Sequence, residues 1–90
     1  MKIYQSRFFE RKIKKFSKKE KNFLDLEIEK ILENTFVGEE KKGELKGVFI
    51  HKFKINAIQY LLSYRMINSN LELIMIGPHE NYYRDLKSYL

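Results

Sequence analysis

Cysteine and tryptophan are absent from this 90-residue chain, and proline occurs once. Without cysteine there can be no disulfide, no thiolate metal ligand and no cysteine nucleophile, which accords with a cytoplasmic setting. Two histidines with no convincing carboxylate constellation fall short of the usual ligand count for zinc. No metal or other cofactor is therefore expected. The chain has no glycine-rich phosphate cradle and no nucleophile elbow, which removes P-loop enzymes and serine hydrolases of that type. No apolar run approaches the roughly 18 residues of a membrane span, and no membrane partner is expected. The charged N-terminus lacks an apolar segment followed by small residues, so no secretory signal is expected either. What is present is 43% hydrophobic and 14% aromatic, too apolar for a disordered tail. Ninety residues suffice for a single domain, 1–90, around one modest core.

Charge is the second informative quantity. Eighteen Lys and Arg against twelve Asp and Glu give a formal +6, which points to an anionic partner. The excess is concentrated near the start. Residues 2–21 hold Lys2, Arg7, Arg11, Lys12, Lys14, Lys15, Lys18, Lys19 and Lys21 against Glu10 and Glu20.

Two periodicities divide the chain. Phe9, Ile13 and Phe16 repeat at helical spacing among basic residues. Ser17-Lys18-Lys19-Glu20 has the spacing of a capping box, and Leu24, Ile28, Ile31 and Leu32 form the apolar stripe behind it. This predicts two antiparallel helices joined near Ser17, the second running to about Phe36. Residues 1–6 suit either a short first strand or the opening turn of the first helix. Gly38 to Gly47 reads as a loop. Beyond it the period becomes two: Phe49, His51, Phe53 and Ile55 share a face, as do Ile58, Tyr60, Leu62, Tyr64 and Met66. A turn at Asn68-Ser69-Asn70, a strand over Leu71 to Ile76, a break at Gly77-Pro78 and a helix over 79–89 complete the chain. The expected fold is α+β: an N-terminal helical hairpin on a three- to four-stranded antiparallel sheet, with a short C-terminal helix. The aromatic faces should meet the helices. The opposite face should expose Lys52, Lys54, Gln59, Ser63 and Arg65 beside the segment beginning at His79.

Of the two histidines, strand parity puts His51 between Phe49 and Phe53, where a structural or rim role is favoured. His79 follows the Gly77-Pro78 break at a strand-to-helix junction, where function concentrates. Metal-free acid–base cleavage of RNA needs a proton acceptor for the 2′-hydroxyl, cations at the phosphate and a proton donor for the leaving oxygen. Histidine, lysine, arginine and tyrosine can fill those roles, and the same groups would serve plain RNA binding equally well. Tyr82 and Leu86 suit packing. Arg84 and Lys87, three apart on a helix, could grip phosphate, or Arg84 could pair with Glu80.

Several segments in order are similar to one family. These are the helical hairpin with Ser17-Lys18-Lys19-Glu20, Gly43-Glu44-Leu45-Lys46-Gly47, Phe49-Ile50-His51-Lys52-Phe53-Lys54, Tyr60-Leu61-Leu62-Ser63-Tyr64-Arg65, and the ending Gly77-Pro78-His79-Glu80-Asn81-Tyr82-Tyr83-Arg84-Asp85-Leu86-Lys87. Over nearly its full length the chain resembles the RelE/ParE superfamily of type II toxins. The resemblance implies a metal-independent endoribonuclease that cuts mRNA on the ribosome, inhibits translation and is held in check by a cognate acidic antitoxin. By that resemblance the catalytic set is His79, Tyr83, Lys52, Lys54 and Arg65, with Arg84, Lys87, Lys46 and His51 as RNA or phosphate contacts. Leu61 stands where ribosome-dependent members usually carry arginine, and Arg65 shares its strand parity. The superfamily's other arm implies DNA gyrase inhibition without chemistry, and an inactive binding module is the third reading.

Overall fold

In a computed structural model of residues 1–90, the helical hairpin precedes the sheet as the periodicities require. Strand β1 (Ile3–Gln5) leads into α1 (Arg7–Ile13) and α2 (Lys18–Glu33). Ser6 caps α1 by accepting from the Phe9 amide. Ser17 caps α2 through the full capping box, accepting from the Glu20 amide while Glu20 accepts from the Ser17 amide. The second helix ends at Glu33, earlier than expected, because Asn34 takes an extended conformation and its side chain accepts from the Phe36 amide.

The remaining strands are β2 (Glu39–Glu40), β3 (Phe49–Ile55), β4 (Ile58–Ile67) and β5 (Asn70–Pro78), followed by α3 (Tyr82–Tyr89). They form a five-stranded sheet in the order β1-β5-β4-β3-β2. The central meander is antiparallel as the alternation predicts, but the sheet is larger than expected and mixed. Strand β1 pairs in parallel with β5, and the two residues of β2 add a fifth strand within the expected loop. Neither edge strand is long enough to show a period. The last helix begins three residues later than expected, after Asn81 in the left-handed conformation.

The sheet separates two cores. On the helical face Phe9, Leu24 and Ile31 pack against Phe53, Ile55, Leu62, Tyr64, Leu71, Leu73 and Ile76, bearing out the aromatic-face prediction. The opposite face is less open than expected. There α3 and a short 3-10 turn over Gly43–Leu45 cover Ile50, Leu61, Ile74 and Met75 with Leu45, Tyr82 and Leu86. Ser63, expected to be exposed, is wholly buried beneath α3. Its Oγ lies 2.8 Å from the Tyr82 hydroxyl, which donates to the Met75 carbonyl at 2.7 Å. Burial pushes the Tyr82 phenol far up, so this tyrosine stays protonated and serves as a peg for α3.

Gly38 sets where β2 starts. A Cβ there would lie 2.9 Å from both the Ile50 carbonyl oxygen and the Tyr64 hydroxyl. That hydroxyl accepts from the Gly38 amide at 3.0 Å and donates to the Thr35 carbonyl at 2.7 Å. A glycine is therefore needed for the chain to pass close enough to be fixed.

Candidate functional site

Strand register brings Lys52, Leu61 and Gly77 into one row on the α3 face of the sheet. Two strand spacings separate the ends of that row by roughly 10 Å. Lys54 lies next on β3 opposite Gln59, and both lysines are exposed. His79 follows Gly77 by two residues, exposed, with its ring edge-on to Tyr83 at a centroid separation of 6.0 Å. Tyr83 is half-buried and also meets Tyr82 edge-on at 5.8 Å. The buried Tyr82 peg thus fixes the α3 backbone, and Tyr83 is turned about 100° away from it, with His79 against its ring.

A cation that the sequence reading missed completes this group. The Lys41 ammonium lies over the Tyr83 ring, 5.0 Å from its centroid, and donates to Glu39 at 2.7 Å. The Glu39 bond, followed by the Tyr83 phenol, raises the Lys41 pKa above its ordinary value. Lys41 is therefore a fixed positive charge at neutral pH. Glu39 is held below the usual carboxylate range by its bond to Lys41, with Lys52 adding to the effect. In sequence Lys41 is one residue of the charge run Glu39-Glu40-Lys41-Lys42, with no spacing to single it out. Its position comes from the pairing of Glu39 with Ile50 and from the close passage at Gly38.

The expected residues separate into those that join this group and those that do not. His79, Tyr83 and Lys52 belong to it, with Lys54 at its edge. Lys87 lies one turn beyond Tyr83 on the same side of α3, with Lys41 and Lys42 lining the same groove, and its ammonium is 4.0 Å from Glu44. Lys46 lines an adjoining hollow with Lys41 and Lys42. Arg84 lies about 100° round the helix from Tyr83, exposed, and meets Asp85 at 3.4 Å rather than Glu80. Arg65 shares the face but lies four residues beyond Leu61, roughly 13 Å along the strand, with buried Ser63 between. Its Nε donates to Glu72 at 2.6 Å. His51 sits on the other side of the sheet, stacked on Phe53, with Nε2 2.8 Å from Glu27. The structure thus brings neither Arg65 nor His51 to the lysine row.

The arrangement can hold a phosphate between lysine ammonium groups, support a flat ring on Tyr83 and offer His79 for proton transfer. No three His, Cys, Asp or Glu side chains converge in a way that could hold a metal ion. No helix is long and apolar enough to cross a membrane.

Comparison with known proteins gives two consistent results. A family model described as the ParE-like toxin of type II bacterial toxin-antitoxin systems matches residues 3–87. Among solved structures, a chain of the intact E. coli RelBE toxin–antitoxin complex superposes with a TM-score of 0.69 at 17% identity, covering 88% of this chain and 96% of that one. The isolated E. coli RelE toxin gives a TM-score of 0.66 at 18% identity, covering 99% and 98% of the two chains. No curated protein sequence matches.

Proposed function

This chain belongs to the ParE-like toxins of type II bacterial toxin–antitoxin systems, and from that premise we propose that it is a metal-independent endoribonuclease acting on ribosome-bound mRNA. The observation that carries the reading is the Lys41 ammonium over Tyr83, with His79 edge-on to the same ring. A ribose–phosphate step lying along Lys52, Lys41 and Lys87 would have its charge neutralised where the pentacoordinate phosphate forms. Tyr83 would support the adjoining base. His79 acts as base toward the 2′-hydroxyl or as acid toward the departing 5′-oxygen, and solvent water takes or gives the other proton. Attack of the 2′-oxygen on phosphorus and loss of the 5′-oxygen leave a 2′,3′-cyclic phosphate and a free 5′-hydroxyl.

Leu61 fits this scheme by substitution of place. It is fully buried under α3 and offers no charge, while Lys41 brings an ammonium to Tyr83 from the loop. A cognate antitoxin with acidic segments is the natural inhibitor, since it would cover the same cations. The site would then act in the cytoplasm, where ribosomes are found.

Primer extension on an mRNA translated in vitro tests the proposal. His79→Ala should slow cleavage by roughly 10²- to 10⁴-fold, and Lys41→Ala by about 10²-fold, with unchanged melting temperatures. Undiminished cleavage by His79→Ala would remove its assigned role. A second reading, inhibition of DNA gyrase without chemistry, is favoured by the ParE-like family match and by the buried Leu61. Loss of supercoiling activity in purified gyrase, with mRNA left intact, would select it.

A further inference from the structure

The basic N-terminal segment stands apart from the site just described. All six ion pairs lie within residues 27–87, and none uses a basic residue of the first 21. On α1 and the turn after it, Arg11, Lys12, Lys14 and Lys15 are all exposed. With Phe8 they line an open groove of roughly 520 Å³ that contains no carboxylate. Four unpaired cations in one groove repel one another, which favours a surface occupied by an anion in use.

Phe8 gives this groove a second property. Its ring is half-buried and meets Tyr89 edge-on at 6.0 Å, while the Lys12 ammonium lies 5.6 Å from its centroid. An aromatic ring held on edge by a neighbour and surrounded by cations is the combination that binds single strands by stacking and phosphate neutralisation. Tyr89 also ties the groove to α3. On that helix Asp85 and Tyr89 lie on the opposite side of the buried Tyr82–Leu86 line from Tyr83 and Lys87. The α1 groove and the lysine row therefore flank α3 on its two sides.

We infer that the α1 groove, formed by Phe8, Arg11, Lys12, Lys14 and Lys15, is a second RNA-binding surface that holds the strand away from the cleavage site. This rests on the reading of the chain as an RNA-directed toxin, yet it has its own readout, because a holding surface contributes affinity without chemistry. A single strand engaging both sides of α3 would have to cross the exposed Arg84 and Ser88 side of that helix.

The test is fluorescence anisotropy of the full-length protein with a labelled 20-nucleotide single-stranded RNA over a salt series. The triple variant Arg11→Ser, Lys12→Ser, Lys15→Ser should bind about tenfold more weakly, and the slope of log affinity against log salt should fall by about 2. Phe8→Leu, which preserves packing, should bind about fivefold more weakly with the slope unchanged. A control with the same charge loss on α2, Lys18→Ser, Lys19→Ser, Lys21→Ser, should change affinity far less. Equal losses in the two triple variants would reduce the effect to net charge and overturn the inference. So would unchanged RNA affinity in the α1 variant, whether or not poly-glutamate binding is lost; if it is, the groove belongs to an acidic protein. If the α1 variant loses RNA affinity while no protein cuts translated mRNA, the surface stands and the nuclease reading falls. If cleavage depends on His79 while the α1 variant binds RNA unaltered, the nuclease reading stands and the surface falls.

Discussion

Tyr82 and Tyr83 are chemically identical neighbours with different fates, separated by about 100° of helix rotation. Tyr82 is 1% exposed, bonded to Met75 and beside Ser63, and pushed far up in pKa by burial. Tyr83 faces the lysines and His79. Tyr82→Phe should therefore lower stability by about 1 kcal/mol, through loss of the buried hydroxyl contacts, and under the proposed endoribonuclease function should leave the rate per folded molecule unchanged. Urea denaturation beside a cleavage assay checks both halves. Sequence reasoning could reach this division, because Tyr82 and Leu86 fall four apart on one apolar face. It could not reach Lys41, whose position depends on a two-residue edge strand and on a close approach at Gly38. The burial of Ser63 escaped it for a related reason. Alternation assigns a residue to a face but does not reveal that α3 covers that face.

At the scale of the elements, the two hairpin turns are under conformational stress. Asn56 and Ala57 join β3 to β4 with φ of 51° and 67°, and Asn68 and Ser69 join β4 to β5 with 51° and 65°. Asparagine tolerates the left-handed region, whereas alanine has no polar side chain to offset the Cβ clash. Ala57→Gly should stabilise the protein by about 0.5–1 kcal/mol, visible as a rise of a few degrees in melting temperature.

Glu27 is the tie between α2 and β3. Burial works to raise its carboxyl, but the bonds to Lys30 and then His51 outweigh it and hold the group below its usual 4.5. A carboxyl whose folded pKa is depressed contributes stability above its unfolded pKa and loses it as pH falls through the folded one. Thermal melts should thus show a Glu27-dependent loss of stability beginning below about pH 5. In Glu27→Gln that part of the acid limb should be missing; an unaltered limb would mean that the tie has no weight.

Across the whole molecule, the net charge of +6 is distributed unevenly. Lys41, Arg65, Arg84 and Lys87 are each paired with a carboxylate, while no basic residue of α1 or of the start of α2 is paired, although Glu10 and Glu20 lie among them. Salt should therefore raise the melting temperature as it rises from about 10 to 150 mM, because screening relieves repulsion faster than it weakens exposed pairs. A flat or falling dependence, measured by scanning fluorimetry, would show that the exposed pairs dominate. The antiparallel meander, the helical hairpin and the toxin resemblance were legible because each repeats a pattern over many residues. The parallel pairing of Ile3 with Leu71 was not, since three residues contain no period and their partner lies 68 positions away.

The Tyr64 hydroxyl has a mechanical consequence. Its ring belongs to the helical core, yet its oxygen grips the chain at Thr35 and Gly38, just ahead of the strand that presents Glu39 and Lys41. One hydroxyl therefore joins the packing of the helical face to the course of the chain that carries Lys41, so the two faces of the sheet share a single anchor. Tyr64→Phe should loosen the segment between Thr35 and Lys41 while leaving the ring's place in the core intact, which amide hydrogen exchange at Gly38 would read.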